Sequence, residues 1–394
     1  MSLIPVEEAQ ARLLALATPL PGENMPAALC AGRWLQHDIL SLRDQPWADL
    51  SAMDGYAVRA SEWPGPWTIA GTSAAGGEAP APLEPGAACR IFTGAPLPDG
   101  ADAVLIQENA RLEGGALAAL GEALPPARHV RPAGSDFRQG DILLPAGALL
   151  GPARIALAVL AGHGDLPVGG KPRIALLSTG DELTPPGAPT PPGRLPGSNG
   201  PMLAAMLAAL PCEITDMGII GDDLAAQTDA FARAAGADII ISTGGASVGD
   251  HDLVRPALLA AGGTLDFWKI RMRPGKPLMA GTIGNAIFLG LPGNPVSAFV
   301  TATLFLLPLI RHMAGASDPK PRTTKAVLGS ALPATGERDE YLRAFQSDLG
   351  VVSVTSQDSA AVASLAAADC LIQRPAGSPQ AKAGDGVTIL PFTP

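Results

Sequence analysis

The spacing of apolar residues changes along the chain, and each change predicts a different kind of structure. Apolar residues recur at helical intervals over residues 6–17 and again over about 27–36, so a helix is predicted at each stretch. Between 47 and 133, short apolar runs alternate with Gly and Pro clusters, which predicts a small inserted β-rich domain. A strand at 141–144 and a helix at 152–162 are predicted to pack back on the N-terminal helices.

After Lys171 the pattern becomes an alternation of apolar strands with helices. Apolar strands separated by helices indicate a parallel sheet covered on both faces, which binds ligands at the carboxyl ends of its strands. Beyond about residue 318 the chain returns to short strands and turns. Strands are predicted at 173–178, 213–220, 238–242 and 264–272, with a hairpin of 277–280 and 286–291. Helices are predicted at 200–210, 224–235, 253–261 and 295–313.

Composition and charge argue against some classes of partner and indicate the cellular compartment. The formal net charge of −10 argues against non-specific nucleic-acid binding, so an anionic ligand would be held by a few placed cations. Four cysteines stand far apart without a Cys-x-x-Cys pair, and the N-terminus lacks a secretory signal pattern, so a reducing cytoplasm is expected. The most apolar stretch, 298–310, is shorter than the roughly 20 residues that cross a bilayer and is predicted to be a core helix.

Three loops at the ends of predicted strands carry small hydroxyl and glycine residues. Such residues let backbone N–H groups approach an oxyanion, and the following helix adds its positive end. One such loop alone is better explained as an ordinary turn, whereas three at one sheet edge predict a site for a phosphate-type ligand. In the third loop, Asn294 is predicted to cap the next helix and Pro295 to occupy its first position. The loops are Ser178-Thr-Gly-Asp-Glu-Leu183, Ser242-Thr-Gly-Gly-Ala-Ser-Val-Gly-Asp-His-Asp252 and Leu291-Pro-Gly-Asn-Pro295.

Carboxylates gather at the same edge and predict a divalent cation. Several acids beside phosphate-binding loops favour Mg²⁺, whose remaining ligands would be water and substrate. For Asp222 and Asp223 a helix N-cap is an equally good explanation, because both precede the helix predicted from 224. Asp250 offers a cap for the next helix, which leaves Asp252 as a spare acid. The acids are Asp181, Glu182, Asp222, Asp223, Asp250 and Asp252.

Basic residues recur around a Pro-Gly turn beside these loops. In an acidic chain they predict a phosphate clamp, although one of them is expected to lie on a solvated strand. In the inserted domain, Asp54 stands on an Asp-Gly turn before an apolar strand, and an acid there is most often a turn former. The basic residues are Lys269, Arg271, Arg273 and Lys276.

Six segments of the chain can be compared with known families. In chain order they are SAMDGYAV (51–58), IFTGAPLPDGADAV (91–104), STGDEL (178–183), STGGASVGDHD (242–252), RPGKP (273–277) and LPGNPVSA (291–298). Together they resemble the MoeA-type molybdopterin molybdenumtransferases, whose relatives include the C-terminal part of gephyrin. The resemblance covers essentially the whole chain, and the order of the segments makes it highly specific.

The resemblance implies a multidomain α/β fold and an elongated homodimer of four-domain subunits. The N-terminal domain would comprise 1–46 with 136–168, and an inserted β-rich domain, 47–135, would interrupt it. A molybdopterin-binding α/β domain with a parallel-rich sheet would follow at 169–317, and a C-terminal β-barrel-like domain at 318–394. The active site would lie in a cleft between the third domain of one subunit and the second domain of its partner.

The implied activity is insertion of molybdate into adenylylated molybdopterin with release of AMP, assisted by Mg²⁺. Carboxylates would hold Mg²⁺ and molybdate, while bases and loop amides would hold the phosphates. A molybdopterin adenylyltransferase and recipient molybdoenzymes are the expected partners, and neither nucleic acid nor a membrane is. Tungstate remains an alternative to molybdate, because both oxyanions are tetrahedral and nearly the same size.

The resemblance and the loops together assign roles to individual residues. Ser135 replaces a Glu of the family pattern beside Asp136, and Arg273 stands where a Lys is common, so proton donation is not expected of Arg273. The residues implied in catalysis are Asp54, Asp136, Glu182, Asp222, Asp252, Lys269 and Lys276, of which Glu182, Asp222 and Asp252 would bind the metal. The residues implied in binding the substrates are Thr93, Ser178, Thr179, Gly180, Thr243, Gly244, Gly245, Ser247, Arg273, Pro292, Gly293, Asn294, Pro295, Arg338 and Ser359.

Two other functions remain as alternatives. A molybdopterin adenylyltransferase shares the α/β domain, but its loop is Thr-Gly-Gly-Thr-Gly, whereas this chain has Thr243-Gly-Gly-Ala-Ser-Val-Gly249 and additional domains. A non-catalytic molybdopterin-binding scaffold would keep the fold without turnover. The retained acids, and the lack of a recognisable extra interaction module or long linker, argue against the scaffold.

Overall fold

The first helix packs on the α/β domain, away from the other N-terminal elements. The computed structural model describes residues 3–245 and 252–392, and the helix predicted at 6–17 is present as Val6–Ala15. Leu13 on its buried face joins the core of the α/β domain. Gln10 Nε2 donates a hydrogen bond of 2.7 Å to the Leu304 carbonyl, which fixes the helix against that core.

The helix predicted at 27–36 is wrong. Only Ala27–Leu29 forms a short 3₁₀ turn, and the chain is then extended through Trp34 and Leu35, which bridge to residues 149 and 168. The backbone N–H groups of Leu35 and Gln36 donate to carbonyls at 148 and 167. Because these bonds come from segments more than a hundred residues away, the local apolar spacing could not distinguish this buried extended segment from a helix.

The N-terminal domain is completed by residues that follow the insertion. The helix predicted at 152–162 is present as Pro152–Leu160 and packs on the 3₁₀ turn and on Ile142–Leu144, rather than on the first helix. Two short antiparallel ladders join the parts of the chain before and after the insertion, Glu23–Pro26 with Asp165–Val168 and Ile39–Leu40 with Ile142–Leu144. A third, Leu50–Ser51 with Val130–Arg131, pairs the two ends of the insertion itself.

The predicted β-rich insertion is confirmed and is built on one six-stranded sheet. Alternate residues enter two apolar clusters, one around Trp67 and one around Ile91, so both faces of the sheet are covered. Asp54 lies on the turn that leads into Gly55–Val58, which is paired with a strand on each side. Across the sheet the strands are Ala103–Ile106, Gly55–Val58, Ala87–Ile91, Trp67–Ser73, Ala116–Ala119 and Ala110–Glu113.

The α/β domain contains the predicted parallel-rich sheet. Its first four strands are parallel, and the remaining pairs are antiparallel. The four parallel strands end at one edge, so the loops that follow them converge there. Across the sheet the strands are Glu213–Ile220, Arg173–Thr179, Ile239–Thr243, Ala286–Leu291, Met279–Ile283 and Thr264–Trp268.

Helices cover both faces of this sheet, as predicted. Pro295–Met313 is long and apolar enough to cross a membrane, but 78% of its most apolar window is buried inside the protein, where it forms part of the core. A π-helical segment, Ala302–Leu306, precedes Pro308, whose missing N–H the wider turn accommodates. The helices are Asn199–Leu207, Leu224–Ala234, Val254–Ala260, Pro295–Thr301 and Leu307–Met313.

The strand predicted at 264–272 is divided in two, and its second part belongs to another sheet. The chain leaves the α/β sheet after Thr264–Trp268, and Lys269 takes a φ of 88° before Met272–Arg273 becomes extended again. Met272–Arg273 pairs in parallel with the start of Asp339–Ser347 in the C-terminal domain. Arg273 therefore lies at the junction of the two domains.

The C-terminal domain is a β-structure, as its short apolar runs predict. Its main strands pair antiparallel, and Gly350–Ser353 adds to the side of Asp339–Ser347. One short helix, Val362–Ala366, follows the loop that approaches the α/β domain. The remaining strands of the sheet are Cys370–Arg374, Gly386–Pro391 and Thr324–Val327.

Candidate active site

A cleft of about 870 Å³ lies at the carboxyl edge of the α/β sheet, with the C-terminal domain as its opposite wall. Loops from three parallel strands and the Pro-Gly turn reach it, and so does the loop before Val362–Ala366. The structure therefore brings together most of the residues predicted to bind the substrates. The predicted residues that line this main cleft are Ser178, Thr179, Glu182, Thr243, Gly244, Gly245, Arg273, Lys276, Pro292, Gly293, Asn294, Pro295, Arg338 and Ser359.

The floor of the main cleft is a layer of buried hydroxyl groups at the strand ends. Thr243 Oγ1 donates to Ser178 Oγ at 3.4 Å, and Thr179 Oγ1 donates to the Thr243 carbonyl at 3.4 Å. Gly244 has a φ of 102°, and a Cβ there would lie 2.3 Å from the Thr179 carbonyl oxygen. A side chain at 244 is therefore excluded, because the two loops approach too closely.

The third loop is tied to both sides of the main cleft. Asn199 Nδ2 donates to the Gly293 carbonyl at 2.7 Å, and Asn294 Nδ2 donates to Ser359 Oγ at 3.0 Å. Asn294 is the N-cap residue and Pro295 is the first residue of the helix, but the predicted capping bond from the Asn294 side chain is absent. That prediction is wrong because the side chain is engaged by the C-terminal domain instead.

The predicted basic residues divide between two clefts. Arg273, Lys276 and Arg338 line the main cleft, and they also border a second cleft of about 980 Å³ that includes Arg271. Arg273 lies 3.9 Å from Glu340 in a weak, exposed ion pair. Lys269 lines neither cleft, so the structure does not bring it to the ligands as the phosphate clamp requires.

Asp181, Asp222 and Asp223 are engaged in ordering the loops. Asp222 accepts from the Asp181 backbone N–H at 3.2 Å, and Asp181 accepts from the Asp222 N–H at 3.1 Å. Asp223 accepts from the Ala226 N–H at 2.7 Å, which confirms the predicted helix cap. Gly180, with a φ of 143°, lies between these loops and outside the cleft lining, and Glu182 folds back over it.

Asp252 is the most perturbed acid at this sheet edge. Both of its carboxylate oxygens are buried and lack a hydrogen-bond partner among the described residues. Burial raises the pKa of Asp252 to about 6, and the charge of Asp222 acts in the same direction, while the nearby N–H of Val254 offsets part of the shift. A buried acid beside a second acid is electrostatically unfavourable until a cation or a proton neutralises it.

The predicted metal-ligand set of Glu182, Asp222 and Asp252 is not assembled. Within 3–245 and 252–392, no three His, Cys, Asp or Glu side chains lie close enough to hold a metal ion together. Glu182 lies over Gly180 instead, and like charges gathered without a cation would repel one another. Asp222 and Asp252 still fit Mg²⁺, which proteins usually bind through one or two carboxylates with water and substrate phosphates. Ser247 and Asp250, also predicted here, lie outside the described residues.

The predicted residues of the inserted domain form a separate, exposed group. Asp54 accepts from the Thr93 backbone N–H at 2.7 Å and from Thr93 Oγ1 at 2.9 Å. These bonds, with a smaller effect from the charge of Arg90, lower the pKa of Asp54. Arg90 stacks on Tyr56 and Phe92, with its guanidinium carbon about 5 Å from each ring centroid.

The predicted residues of the inserted domain and of the N-terminal domain do not reach the main cleft of their own chain. None of Asp54, Thr93 and Asp136 lines it. Across the described part of the chain, the hydrogen bonds and ion pairs of the inserted domain run within it or to the N-terminal domain. Asp136 is exposed near the junction of these domains, and its N–H donates to the Gln45 carbonyl.

Sequence reasoning missed several residues of the main cleft. Asn199 lies in the cleft wall, 8% exposed, and its Oδ1 has no partner among the residues described. The sequence Ser198-Asn199-Gly200 before a predicted helix could have indicated a functional loop. Gln357 and Asp358 also line the cleft, but they follow no recognisable motif and arrive through the C-terminal domain.

Comparisons with known proteins agree with this architecture. The family model for the MoeA N-terminal region (domain I and II) matches residues 4–162, the probable molybdopterin binding domain matches 175–312, and the MoeA C-terminal region (domain IV) matches 325–392. The chain is 35% identical over 400 residues to the molybdopterin molybdenumtransferase of Haemophilus influenzae, covering 99% of each chain. It is 38% identical over 323 residues to that of Nostoc sp., covering 79% of this chain and 74% of the relative.

A solved structure supports the fold over the full length. The molybdopterin biosynthesis moeA protein from Pyrococcus horikoshii OT3 is 26% identical, with a TM-score of 0.84 and coverage of 98% and 99% of the two chains. The fold and the matched models define a MoeA-like multidomain protein built around an α/β domain at whose sheet edge the cleft lies. The chain belongs to the molybdopterin molybdenumtransferase family, and it is a transferase of molybdenum cofactor biosynthesis.

Proposed function

We propose that the chain inserts molybdate into adenylylated molybdopterin and releases AMP with the assistance of Mg²⁺. The observation that carries this proposal is the juxtaposition, at one sheet edge, of hydroxyl and glycine loops, three cleft cations and a buried acid that has no hydrogen-bond partner among the described residues. The loops and cations suit a phosphorylated cofactor and a tetrahedral oxyanion. The acid suits a cation that accompanies phosphate chemistry.

The basic residues of the main cleft would bind the anionic groups of the substrates, and the acids at the sheet edge would bind the metal ion. Arg273, Lys276 and Arg338 attract the phosphates and the oxyanion, while Ser178 and Thr243 close the floor beneath them. Asp222 and Asp252 would hold Mg²⁺, which would neutralise phosphate charge as AMP is lost. Arg273 would bind through its planar guanidinium, whose forked N–H groups match the geometry of phosphate oxygens.

Release of AMP tests the proposal directly. With adenylylated molybdopterin and Mg²⁺ present, adding molybdate is expected to raise the rate of AMP release at least about tenfold. The rate is measured by chromatography of the nucleotide at several molybdate concentrations, with tungstate in a parallel series. Tight binding of the cofactor without molybdate-dependent release would instead support the scaffold alternative.

The active unit is a homodimer in which the inserted domain of one chain completes the main cleft of the other. The separation of Asp54 from the main cleft of its own chain supports this arrangement. An apolar surface on the N-terminal domain offers an interface for a second copy. It consists of Leu40, Leu42, Ile142, Val159 and Leu160, which are between 42% and 62% exposed. These residues are neighbours: Ile142 is the register partner of Leu40, and the Leu42 N–H donates to the helix end at Ala161.

Replacing Leu42 and Ile142 together with Asp is expected to convert the dimer to a monomer. Two charges in an apolar interface would lose their hydration, which costs more than the interface gains from the remaining contacts. The mass in solution is measured by light scattering coupled to size exclusion. Leu349→Asp serves as the matched control, because Leu349 is 80% exposed on the C-terminal domain. A double variant that keeps the mass of a dimer would place the interface elsewhere.

The cellular setting is a reducing cytoplasm. All four cysteines, Cys30, Cys89, Cys212 and Cys370, are free, and three of them are buried, which supports a compartment without disulfide formation. A molybdopterin adenylyltransferase would supply the substrate, and apo-molybdoenzymes would receive the product.

A further inference from the structure

A loop of the C-terminal domain, residues 356–361, forms one wall of the main cleft. Four of its residues, Gln357, Asp358, Ser359 and Ala360, line the cleft opposite the α/β domain. The loop connects the strand Gly350–Ser353 to the short helix Val362–Ala366 and belongs to neither a strand nor a helix. Its shape must therefore come from side chains that satisfy its carbonyl groups.

Arg343 supplies those bonds. Its side chain is among the largest that are fully buried, and the residue is 1% exposed. Nη1 donates to the Ala361 carbonyl at 3.0 Å, and Nη2 donates to the carbonyls of Ser356 and Asp358, each at 2.9 Å. The planar guanidinium therefore holds three carbonyl oxygens of the loop in one geometry, which a single ammonium group cannot reproduce.

Gln357 strengthens the same attachment. Its Oε1 accepts from the Arg343 backbone N–H at 3.1 Å, and its Nε2 donates to the Arg343 carbonyl at 2.9 Å. The loop is thus joined to both the backbone and the side chain of Arg343.

The loop carries one hydroxyl group whose orientation matters for an anion. Ser359 Oγ accepts from Asn294 Nδ2 at 3.0 Å, so one of its lone pairs is occupied. Among the residues described, this hydroxyl has no acceptor for its proton. The proton is therefore left to donate to a ligand in the cleft that Lys276 and Arg338 also line.

We infer that Arg343 is a positioning residue for the oxyanion substrate and acts through Ser359. Arg343 does not line the main cleft, so it lies behind the wall that the ligand would meet. It fixes the loop so that Ser359 meets both Asn294 and the oxyanion. This inference rests on the proposed insertion of molybdate. It adds Arg343, which does not line the cleft, to the residues that determine the affinity for the oxyanion.

The test compares Arg343→Lys, Ser359→Ala and the double variant. At saturating adenylylated molybdopterin, each single variant is expected to raise the KM for molybdate about tenfold, equivalent to about 1.4 kcal/mol. We expect kcat to change by less than about twofold, since the loss affects binding of the oxyanion in the ground state and the transition state equally. The double variant is expected to match Ser359→Ala alone, because Arg343 has no other route to the oxyanion.

A matched control separates positioning from loss of fold stability. Arg374 is also buried in the C-terminal domain, at 5% exposure, and donates to the carbonyls of Pro333 and Pro379, neither of which lines the main cleft. Arg374→Lys is expected to lower the melting temperature as Arg343→Lys does, but to leave the KM for molybdate unchanged. Titration calorimetry with sodium molybdate gives the same comparison without turnover.

The possible results are distinct. An unchanged KM in Arg343→Lys, or a double variant near the product of the single effects at about a hundredfold, would overturn the inference while wild-type turnover stands. Absence of molybdate-dependent AMP release in the wild type would instead contradict the proposed function. If Arg343→Lys does not fold, Gln357→Ala replaces it as the test, because it removes bonds between the same loop and the Arg343 backbone and keeps the Arg343 side chain. Gln357→Ala too should raise the KM for molybdate only when Ser359 is present.

Discussion

A heterodimer of one Asp54→Ala chain and one Asp252→Asn chain is expected to release AMP at about half the wild-type rate, although neither parent homodimer is active. Each parent should be at least about a hundredfold slower than the wild type, since every cleft in it lacks one of the two acids proposed for catalysis. In the heterodimer, one cleft receives an intact Asp252 from one chain and an intact Asp54 from the other. The second cleft lacks both acids.

Differently tagged chains expressed together allow the heterodimer to be purified and its AMP release measured. The matched control pairs an Asp54→Ala chain with a chain that carries both substitutions. This control has the same dimer interface but no complete cleft, so it should stay inactive. A heterodimer as inactive as its parents would show that Asp54 serves its own chain or an unrelated site. Asp54 is exposed, so its removal should not unfold the inserted domain.

Replacing Asp252 with Asn is expected to abolish turnover and, at the same time, to stabilise the folded chain at neutral pH. The pKa of Asp252 is about 6 in the folded chain, because burial disfavours its charge. In the unfolded chain the carboxyl ionises near pH 4. Ionisation therefore costs the native state roughly 2 to 3 kcal/mol above pH 6. The substitution removes that cost but adds the smaller cost of burying an amide.

The difference in stability between the wild type and Asp252→Asn should depend on pH, because the pKa of Asp252 is higher in the folded chain than in the unfolded chain. The wild type should lose stability relative to Asp252→Asn as pH rises from about 4 through about 6, and the two should converge below pH 4. Melting temperatures measured from pH 3.5 to pH 8 give the comparison. A variant that is less stable than the wild type at pH 8 would contradict the assignment of Asp252 as an acid whose charge is disfavoured by burial.

Magnesium provides an independent measurement on the same variant. Mg²⁺ should raise the melting temperature of the wild type, because an ion that binds only the folded chain stabilises it. It should leave Asp252→Asn unaffected. Asp229→Asn is the matched control: Asp229 is a solvent-exposed acid of the same domain, paired with Arg233, and its loss should preserve the response. Equal responses in all three proteins would remove Asp252 from the metal site.

Much of the fold follows from local patterns in the sequence. The strands at 173–179 and 239–243 and the helices after them are almost where the apolar runs predict them, because their periodicity and their bounding glycines are local features. The extended segment at Trp34 and Leu35 could not be predicted in this way, because its hydrogen-bond partners come from residues beyond 145. The short strand Met272–Arg273 joins a different sheet for the same reason.

For the site, the sequence by itself determined the three glycine and hydroxyl loops predicted to bind an anion, the basic residues near them in the chain and the family to which they point. These features depend on residue type and on the order of strands, which a sequence states directly. Only the tertiary structure decided that Asp252 is buried without a hydrogen-bond partner in 3–245 and 252–392, that Glu182 lies over Gly180, and that Asn294 bonds to Ser359. Each of these depends on burial or on contact between distant segments, and long-range packing sets both.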